Sequence, residues 1–219
     1  MHGRAKRPRL AALLLAVLLM LIAGCNRGAD GLLLNERFGN PESGWGADSR
    51  EEFDRGYQDG KYAIEVYAPN WLAWAHPGRR FGDVDVTVEA RQTSGGSDGH
   101  YGLLCRYNRG DFYYFAITPD GYYAILLIRN GEQTVLSGDG FLPTSAVRPV
   151  GEVNIIRAVC DGVDLSMYVN GQHLATVRDD VLRRGDVGVA VGSGPSGDIR
   201  VLFDNLQVAP PQAGGGEGQ

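Results

Sequence analysis

The side chains of this sequence that could carry out chemistry are mainly carboxylates and arginines. Asp85 and Glu89 alternate along one segment with Thr87 between them, so both would face the same side of a strand. Hydrolysis of a glycosidic bond needs two carboxyl groups, about 5 Å apart for retention or farther apart for inversion. Only two acids stand in this segment, and a solvated sheet face explains them equally well. We therefore predict ligand-binding residues here and no catalytic residue.

Other catalytic and metal-binding patterns are not found in the sequence. The histidines do not show the HExxH spacing of zinc enzymes, and no cluster supplies three or four zinc ligands. The letters G-x-S-x-G at 95–99 precede an apparent strand, whereas a nucleophile elbow needs a helix after it. Loop carboxylates such as Asp98 leave calcium as an open alternative, without EF-hand spacing. We expect no metal and no cofactor.

The next apolar segment, 100–107, adds further candidates for binding a ligand. Alternation places His100, Gly102, Leu104 and Arg106 on one face. Gly102 would let a ligand approach the backbone, and Arg106 could donate a planar fork to hydroxyls or a carboxylate. Arg106 could equally pair with Glu89 across neighbouring strands, which would be a structural role. The predicted ligand-binding residues are Asp85, Glu89, Arg91, His100, Arg106 and Tyr114.

Length and composition indicate the kind of fold that must position these residues. The chain has 219 residues, 43% of them hydrophobic, and a formal charge of −5. Such a chain forms one globular domain of ordinary size, and its acidic balance argues against a nucleic-acid partner. Glycine is frequent, with 32 residues and no collagen period. These glycines indicate many turns, and hence many short strands.

The pattern of apolar residues predicts strands almost throughout. Segment 83–91 alternates strictly between apolar and polar residues, as a half-buried strand does. Asn130-Gly131 and Asn170-Gly171 are the dipeptides that two-residue hairpin turns favour. The predicted strands are 32–38, 62–67, 83–91, 100–107, 112–117, 122–129, 133–136, 153–160, 164–169, 172–177, 186–191 and 199–208. About a dozen strands exceed one stable sheet, so we predict an all-β fold, an antiparallel β-sandwich of the jelly-roll kind.

Several motifs in these strands resemble the concanavalin A-like lectin/glucanase superfamily, in particular its laminin G-like and 3-keto-disaccharide hydrolase-like branch. They are Tyr101-Gly102-Leu103-Leu104-Cys105-Arg106-Tyr107, Asp120-Gly121-Tyr122-Tyr123 and Phe203-Asp204-Asn205-Leu206-Gln207-Val208. The resemblance covers nearly all of residues 31–208. It implies a concanavalin A-like β-sandwich whose concave sheet face holds sugars.

The same resemblance weighs against catalysis. Laminarinase-like members carry E-x-D-x-x-E or E-x-D-x-E on one strand, and the nearest fragment, Glu52-Phe53-Asp54, has Tyr57 where the second glutamate belongs. The resemblance therefore implies a non-catalytic, carbohydrate-binding recognition module. Two alternatives stay open: a sugar-processing hydrolase like the 3-keto-disaccharide branch, and a structural or protein-binding surface domain.

The N-terminus predicts export and a lipid anchor. Four basic residues within 4–9 precede the apolar run 10–22, which is too short to span a membrane. Leu21-Ile22-Ala23-Gly24-Cys25 resembles the bacterial lipobox, whose cysteine is lipidated and, after cleavage, acylated. We predict a lipoprotein signal peptide at 1–24, a lipidated Cys25 with a tether to residue 30, and attachment to the bacterial membrane or envelope. Residues 209–219 are predicted to be a disordered tail, because few of them are apolar. An ordinary signal peptide with an incidental cysteine is the alternative.

Cysteine usage predicts one disulfide. The chain has three cysteines, and lipidation of Cys25 leaves Cys105 and Cys160. An exported protein meets an oxidising compartment, so we expect these two to be bonded, in strands that are neighbours or near-neighbours within one sheet. Two buried free thiols are the alternative.

Lipidation is tested by changing Cys25→Ser in the full chain. We expect the variant to leave the detergent phase in a detergent partition assay, or to keep its signal peptide, because the thiol that receives the lipid is gone. Asn26→Ala, which keeps the lipobox cysteine, should partition like the parent. Unchanged partition of Cys25→Ser would mean that something else anchors the protein.

Overall fold

A computed structural model describes residues 31–212, and within that range every regular element is a β-strand. The predicted signal peptide and tether, and the part of the predicted tail from 213 onwards, lie outside the described residues. No helix among the described residues is long and apolar enough to cross a membrane. The strands are β1 Leu34–Glu36, β2 Asp48–Ser49, β3 Phe53–Gln58, β4 Lys61–Val66, β5 Leu72–Ala75, β6 Val84–Gly95, β7 His100–Asn108, β8 Asp111–Thr118, β9 Tyr122–Arg129, β10 Glu132–Val135, β11 Leu142–Pro143, β12 Asn154–Asp161, β13 Asp164–Val169, β14 Gln172–Arg178, β15 Asp186–Gly192 and β16 Ile199–Ala209.

The strands form two antiparallel sheets, which confirms the predicted all-β sandwich. The nine-stranded sheet has the order β14-β13-β12-β6-β16-β4-β3-β2, with β1 also paired to β16. The seven-stranded sheet has the order β10-β9-β8-β7-β15-β5, with β11 also paired to β9. Apolar side chains from both sheets form one buried core between them, including Val86, Val88, Leu103 and Phe115. The alternation predicted for 83–91 therefore does place its apolar face inward.

The seven-stranded sheet is apolar on its outer face as well. Alternate residues of β8 divide between the two faces, so Tyr113 and Phe115 join the main core while Phe112 and Tyr114 do not. The second set forms a separate buried cluster with Leu104, Ala116, Ala124, Leu126, Ile128 and Ala190. Leu72, Trp74, Tyr107, Val135 and Phe141 pack against it. The middle of this outer face is thus a packed apolar layer.

The predicted hairpin turns are confirmed in their backbone geometry. Asn130-Gly131 has φ values of 54° and 79°, and Asn170-Gly171 has 51° and 84°. Positive φ at both central residues is what a type I′ turn requires, and asparagine and glycine tolerate it best. Asp59-Gly60 makes an equivalent turn between β3 and β4, with 50° and 73°.

Strand β3 was not predicted, and its composition explains why. Its inward positions are Phe53, Arg55 and Tyr57, so a charged residue interrupts the apolar alternation. The guanidinium of Arg55 donates to the carbonyl oxygen of Trp74, which supplies the partner that a cation on this side needs. At the other end of the chain, Ala209 pairs with Asp85, so the last strand extends one residue into the predicted tail.

The predicted disulfide between Cys105 and Cys160 is confirmed, but the expectation that both lie in one sheet is wrong. Cys105 lies in β7 of the seven-stranded sheet and Cys160 in β12 of the nine-stranded sheet. Both side chains point into the main core, with their Cα atoms 7.0 Å apart. The bond therefore links the two layers through the core.

Removing this bond should destabilise the sandwich. The disulfide closes a segment of 55 residues, and loss of such a cross-link costs about 2–4 kcal/mol in the free energy of unfolding. We expect Cys105→Ala/Cys160→Ala to unfold at lower urea concentration than the oxidised parent, and the reduced parent to behave like the variant. Equal midpoints for oxidised and reduced protein would contradict a stabilising bond.

Candidate functional site

The predicted ligand-binding residues do not form one site. Asp85, Glu89 and Arg91 point outward from β6 in the nine-stranded sheet. His100 and Tyr114 lie on the outer side of the seven-stranded sheet, in or against its apolar layer. The main core separates these two groups, because each group faces away from the opposite sheet. Residues on opposite outer faces cannot contact one ligand together, and each residue's part in ligand binding stays a prediction.

Asp85 is engaged in a structural ion pair. Its two carboxylate oxygens accept hydrogen bonds from Arg157 at 2.8 and 2.7 Å. The Arg157 guanidinium also stands 4.6 Å from the ring centre of Tyr168, and its hydrogen bond to Asp85 raises its pKa. This arrangement joins β6, β12 and β13 on the surface of the sheet.

Glu89 and Arg91 line a shallow hollow of about 120 Å³ together with Lys61 and Asp204. Glu89 stands directly opposite Asp204 on the neighbouring strand β16. Opposed residues on antiparallel strands have Cβ atoms about 4.5–5.5 Å apart, so two carboxyl groups meet here. Lys61 forms an ion pair with Asp204.

Arg106 is a buried structural residue. Its side chain is 1% exposed and donates to the Asp83 carboxylate and to the carbonyl oxygens of Gly162 and Leu182, each at 2.9 Å. A β-bulge after Cys105 gives Arg106 a φ of 57° and breaks the alternation on which its predicted orientation rested. Arg106 therefore has a structural role, as one alternative predicted, but its carboxylate partner is Asp83 and not the expected Glu89.

His100 and Tyr114 contact each other within the outer apolar layer. The His100 Nδ1 and the Tyr114 hydroxyl oxygen are 3.0 Å apart. Burial lowers the pKa of His100 to about 4 and raises that of Tyr114 well above its usual value. Gly102 serves strand pairing, because a Cβ there would collide with the Phe115 carbonyl. A ligand is not needed to explain this glycine.

Aromatic rings lead from this layer to one edge of the sheet. The ring centre of Trp74 lies 5.5 Å from that of Phe112 and 6.3 Å from that of Tyr107. The ring centres of Tyr107 and His76 follow at 4.2 Å, and the two rings are tilted by 31° to each other. We call Trp74, His76, Tyr107 and Phe112 the aromatic strip. Phe112 is buried, whereas the other three rings are partly exposed.

The aromatic strip ends at a pocket of about 220 Å³, which we call the basic pocket. It is lined by His76, Gly78, Arg79, Arg80, Tyr107, Asn108, Arg109, Gly185 and Asp186. The segments meet here because β15 lies between β5 and β7, and Asp186 pairs with Tyr107. The pocket therefore combines an aromatic wall with a cluster of hydrogen-bond donors.

Asp186 organises the basic pocket. It is 4% exposed, and one carboxylate oxygen accepts from His76 Nδ1 at 2.9 Å and from the Arg79 backbone N–H at 2.8 Å. Its other oxygen accepts the backbone N–H of Val187 at 2.9 Å. A buried carboxylate with three donors is well satisfied, so its role is to hold His76 and the loop that begins there.

Sequence reasoning missed the basic pocket because its residues are distant in the chain. The available signal was local: Trp74 and His76 alternate, and Pro77-Gly78 then precedes two arginines. Alternation places the two rings on one side of a strand, and the Pro-Gly turn predicts a loop after it. Nothing in the sequence indicated that this loop would meet Arg109 and Asp186.

A larger groove of about 510 Å³ lies at the β2–β3 edge, and charge pairs occupy it. Asp48 pairs with Arg55, and Glu65 pairs with Arg200. Hydrogen bonds from Ser49 and Tyr67 lower the pKa of Asp54, whereas a catalytic acid needs a raised pKa. The groove is a mutually satisfied polar network, so its size alone does not make it the better candidate.

Comparisons with known proteins support the fold. No family model and no curated protein matches the sequence. Among solved structures, the carbohydrate binding module CBM66 from Bacillus subtilis is 14% identical, with a TM-score of 0.57 over 67% of this chain and 86% of its own. A Bacillus subtilis protein of unknown function with a galectin-like fold is 12% identical, with a TM-score of 0.59 over 82% of this chain and 96% of its own.

The catalytic domain of an endo-1,3-beta-glucanase (laminarinase) from Thermotoga petrophila RKU-1 is also similar. It is 10% identical, with a TM-score of 0.58 over 83% of this chain and 98% of its own. At such identities the likeness shows the fold alone, an all-β sandwich similar to that of the galectin-like protein. Membership of the concanavalin A-like superfamily stays a prediction, and activity must be argued from the side chains.

The buried His100 predicts a pH effect on stability. Its pKa is about 4 when folded and near 6.5 when unfolded, so the unfolded chain binds more protons between these values. Stability is therefore lost as pH falls from 6.5 towards 4. We expect His100→Gln to lose less unfolding free energy than the parent over this window, measured by urea denaturation. His173→Gln, at an exposed position, should follow the parent. Identical curves for parent and His100→Gln would refute the assignment.

Proposed function

We propose that this domain is a lipid-anchored recognition module that binds a carbohydrate in the basic pocket without cleaving it. The observation that carries the proposal is the contact between the Tyr107 and His76 rings at the pocket wall, with ring centres 4.2 Å apart. Sugar rings present apolar C–H faces, and an aromatic wall beside hydrogen-bond donors matches that mixture. The similar folds of a carbohydrate binding module and a galectin-like protein support the same conclusion.

The polar groups of the basic pocket are suited to binding the hydroxyl groups of a sugar. Asn108 offers an amide, and three arginines offer donors in planar forks, at exposed positions around the wall. The backbone beneath them is fixed, since Phe81 and Gly185 exchange hydrogen bonds of 2.8 and 3.1 Å. A fixed pocket loses little freedom when a ligand binds, which favours affinity.

The number of carboxylates in this pocket argues against cleavage of a glycosidic bond. Asp186 is the only acid in its lining, and three donors already occupy it. A glycosidase needs a second carboxyl group to act as nucleophile or base. Binding without hydrolysis is therefore the function that the pocket supports.

A hydrolase is the second candidate, and one observation favours it. Glu89 and Asp204 oppose each other across β6 and β16 at a spacing compatible with a retaining mechanism. Against it stand the small volume of the hollow and Lys61, whose ammonium group already pairs with the Asp204 carboxylate. Glu89 and Asp204 are the residues by which this candidate is tested.

Anchoring through Cys25 would keep the pocket close to the membrane. Eight residues, 26–33, separate Cys25 from the start of β1 at Leu34. Even a fully extended chain of that length spans only about 30 Å. We therefore propose that the ligand is a glycan of the envelope itself or one that reaches it.

Binding is tested with residues 26–219, which contain the whole described sandwich, on a glycan array. For the best-bound glycan, Tyr107→Ala should weaken binding roughly two- to tenfold, since an aromatic contact contributes about 0.5–1.5 kcal/mol. Tyr107→Phe keeps the ring and should retain binding. Tyr122→Ala removes an exposed tyrosine elsewhere on the same sheet and should have no effect. Equal binding by Tyr107→Ala, at unchanged melting temperature, would contradict this site.

Cleavage is tested on the same glycans by release of reducing sugar. We expect none from the purified protein. Release that is abolished by Glu89→Gln and by Asp204→Asn would establish the hydrolase and overturn the non-catalytic proposal.

A further inference from the structure

The basic pocket brings three arginine side chains together. Among residues 31–212, no carboxylate lies within 4.0 Å of the Arg79, Arg80 or Arg109 side chains. In the β2–β3 groove, by contrast, both Arg55 and Arg200 have a carboxylate partner. Three arginines without an ion-pair partner among the described residues therefore line one cavity, in a chain whose net charge is −5.

The acids nearest to these arginines are already occupied. Asp186 accepts hydrogen bonds from His76 and from two backbone N–H groups. Asp111, two residues after Arg109, accepts the backbone N–H of Asn130 at 2.9 Å. The pocket lining thus holds three arginines against one carboxylate, that of Asp186, which leaves an excess of positive charge.

The backbone fixes where these arginines stand. Arg79 is held by its N–H bond to Asp186, and the Phe81–Gly185 pair closes the loop one residue after Arg80. Arg109 has a φ of 54° in its tight turn with Gly110. Positive φ at Arg109 and at Gly110, where it is 99°, fits the tight turn between β7 and β8. The loops bring the charges to the cavity before any ligand arrives.

The kind of cation indicates the kind of ligand. Arginine presents a planar fork that matches two oxygens of a carboxylate, sulfate or phosphate group, and it is more weakly hydrated than lysine. The Tyr107 ring forms the wall beside these forks, within the same lining. A ligand with an apolar ring face and an anionic substituent would satisfy both features together.

We propose that the basic pocket binds an acidic sugar, with a carboxylate or sulfate group on the arginines and the sugar ring against Tyr107. This inference rests on the proposed carbohydrate binding for the sugar part, whereas the anion part rests on the charges alone. An uncharged glycan would leave the three guanidinium groups without a counter-charge.

The test compares charged and uncharged forms of the same polymers. Polygalacturonate and its methyl ester form one pair, and dextran sulfate and dextran form the other. We expect one or both acidic polymers to bind at least tenfold more tightly than the uncharged form of the same polymer. The pair with the larger difference in affinity shows whether the pocket prefers a carboxylate or a sulfate group. Equal binding of charged and uncharged forms would overturn the inference.

Variants place the effect in the pocket. Arg79→Gln/Arg109→Gln should weaken binding of the acidic polymer at least tenfold, while dextran binding and the melting temperature stay unchanged. Arg37→Gln removes an exposed arginine outside the pocket and should match the parent. An equal loss in Arg37→Gln would show general attraction to polyanions and would overturn the assigned site.

The two proposals fail in different ways. If an uncharged glycan binds and is lost in Tyr107→Ala while the arginine variants change nothing, the carbohydrate site stands and the anion inference fails. If the acidic polymers depend on the arginines but Tyr107→Ala changes nothing, the anion site stands and the sugar-stacking proposal fails.

Discussion

The β-bulge in β7 is the constraint on which the candidate site depends. Up to Cys105 the strand alternates regularly, with Cys105 pointing into the main core. The bulge then turns Arg106 inward as well, where it binds Asp83 and two carbonyl oxygens. Tyr107 consequently points to the outer side, against Trp74, Phe112 and His76. One irregularity thus supplies both a buried cation that joins three segments and the aromatic wall of the pocket.

The two outer faces of the sandwich divide polar and apolar surface unequally. The nine-stranded sheet carries paired charges, such as Asp85 with Arg157, on its outside. The seven-stranded sheet carries a packed apolar layer in which the polar pair His100 and Tyr114 bond to each other. A polar ligand therefore finds few free hydrogen-bonding groups in the middle of the second face. The basic pocket lies at the edge of this layer, where the loops after β5 and β7 add arginines to an aromatic border.

The sequence predicts what depends on local pattern. Alternation located β6, β12 and β13 closely, and Asn-Gly located two hairpin turns, because side-chain period and backbone sterics act over a few residues. Strand β3 was missed because Arg55 occupies an inward position. The grouping of Asp85 with His100 failed for a different reason: neither pattern states which sheet a strand joins. No glycine marks the bulge at Arg106 in the sequence. The φ of 57° at Arg106, and the reversal of faces after it, therefore depend on the tertiary contacts of the Arg106 side chain.

The similar solved structures include a carbohydrate binding module and a glucanase on the same sandwich, so the distinction between binding and cleavage lies in the side chains. Hydrolysis requires carboxyl groups in unlike environments, one able to keep a proton and one charged. In the basic pocket the single carboxylate, that of Asp186, accepts hydrogen bonds from His76 and from the loop after it. The charged side chains of the lining that have no ion-pair partner among the described residues are arginines. Cations bind and orient a charged ligand, but an arginine does not transfer a proton at ordinary pH. Asp186 therefore positions the pocket, and the arginines around it remain available for the ligand binding that we propose.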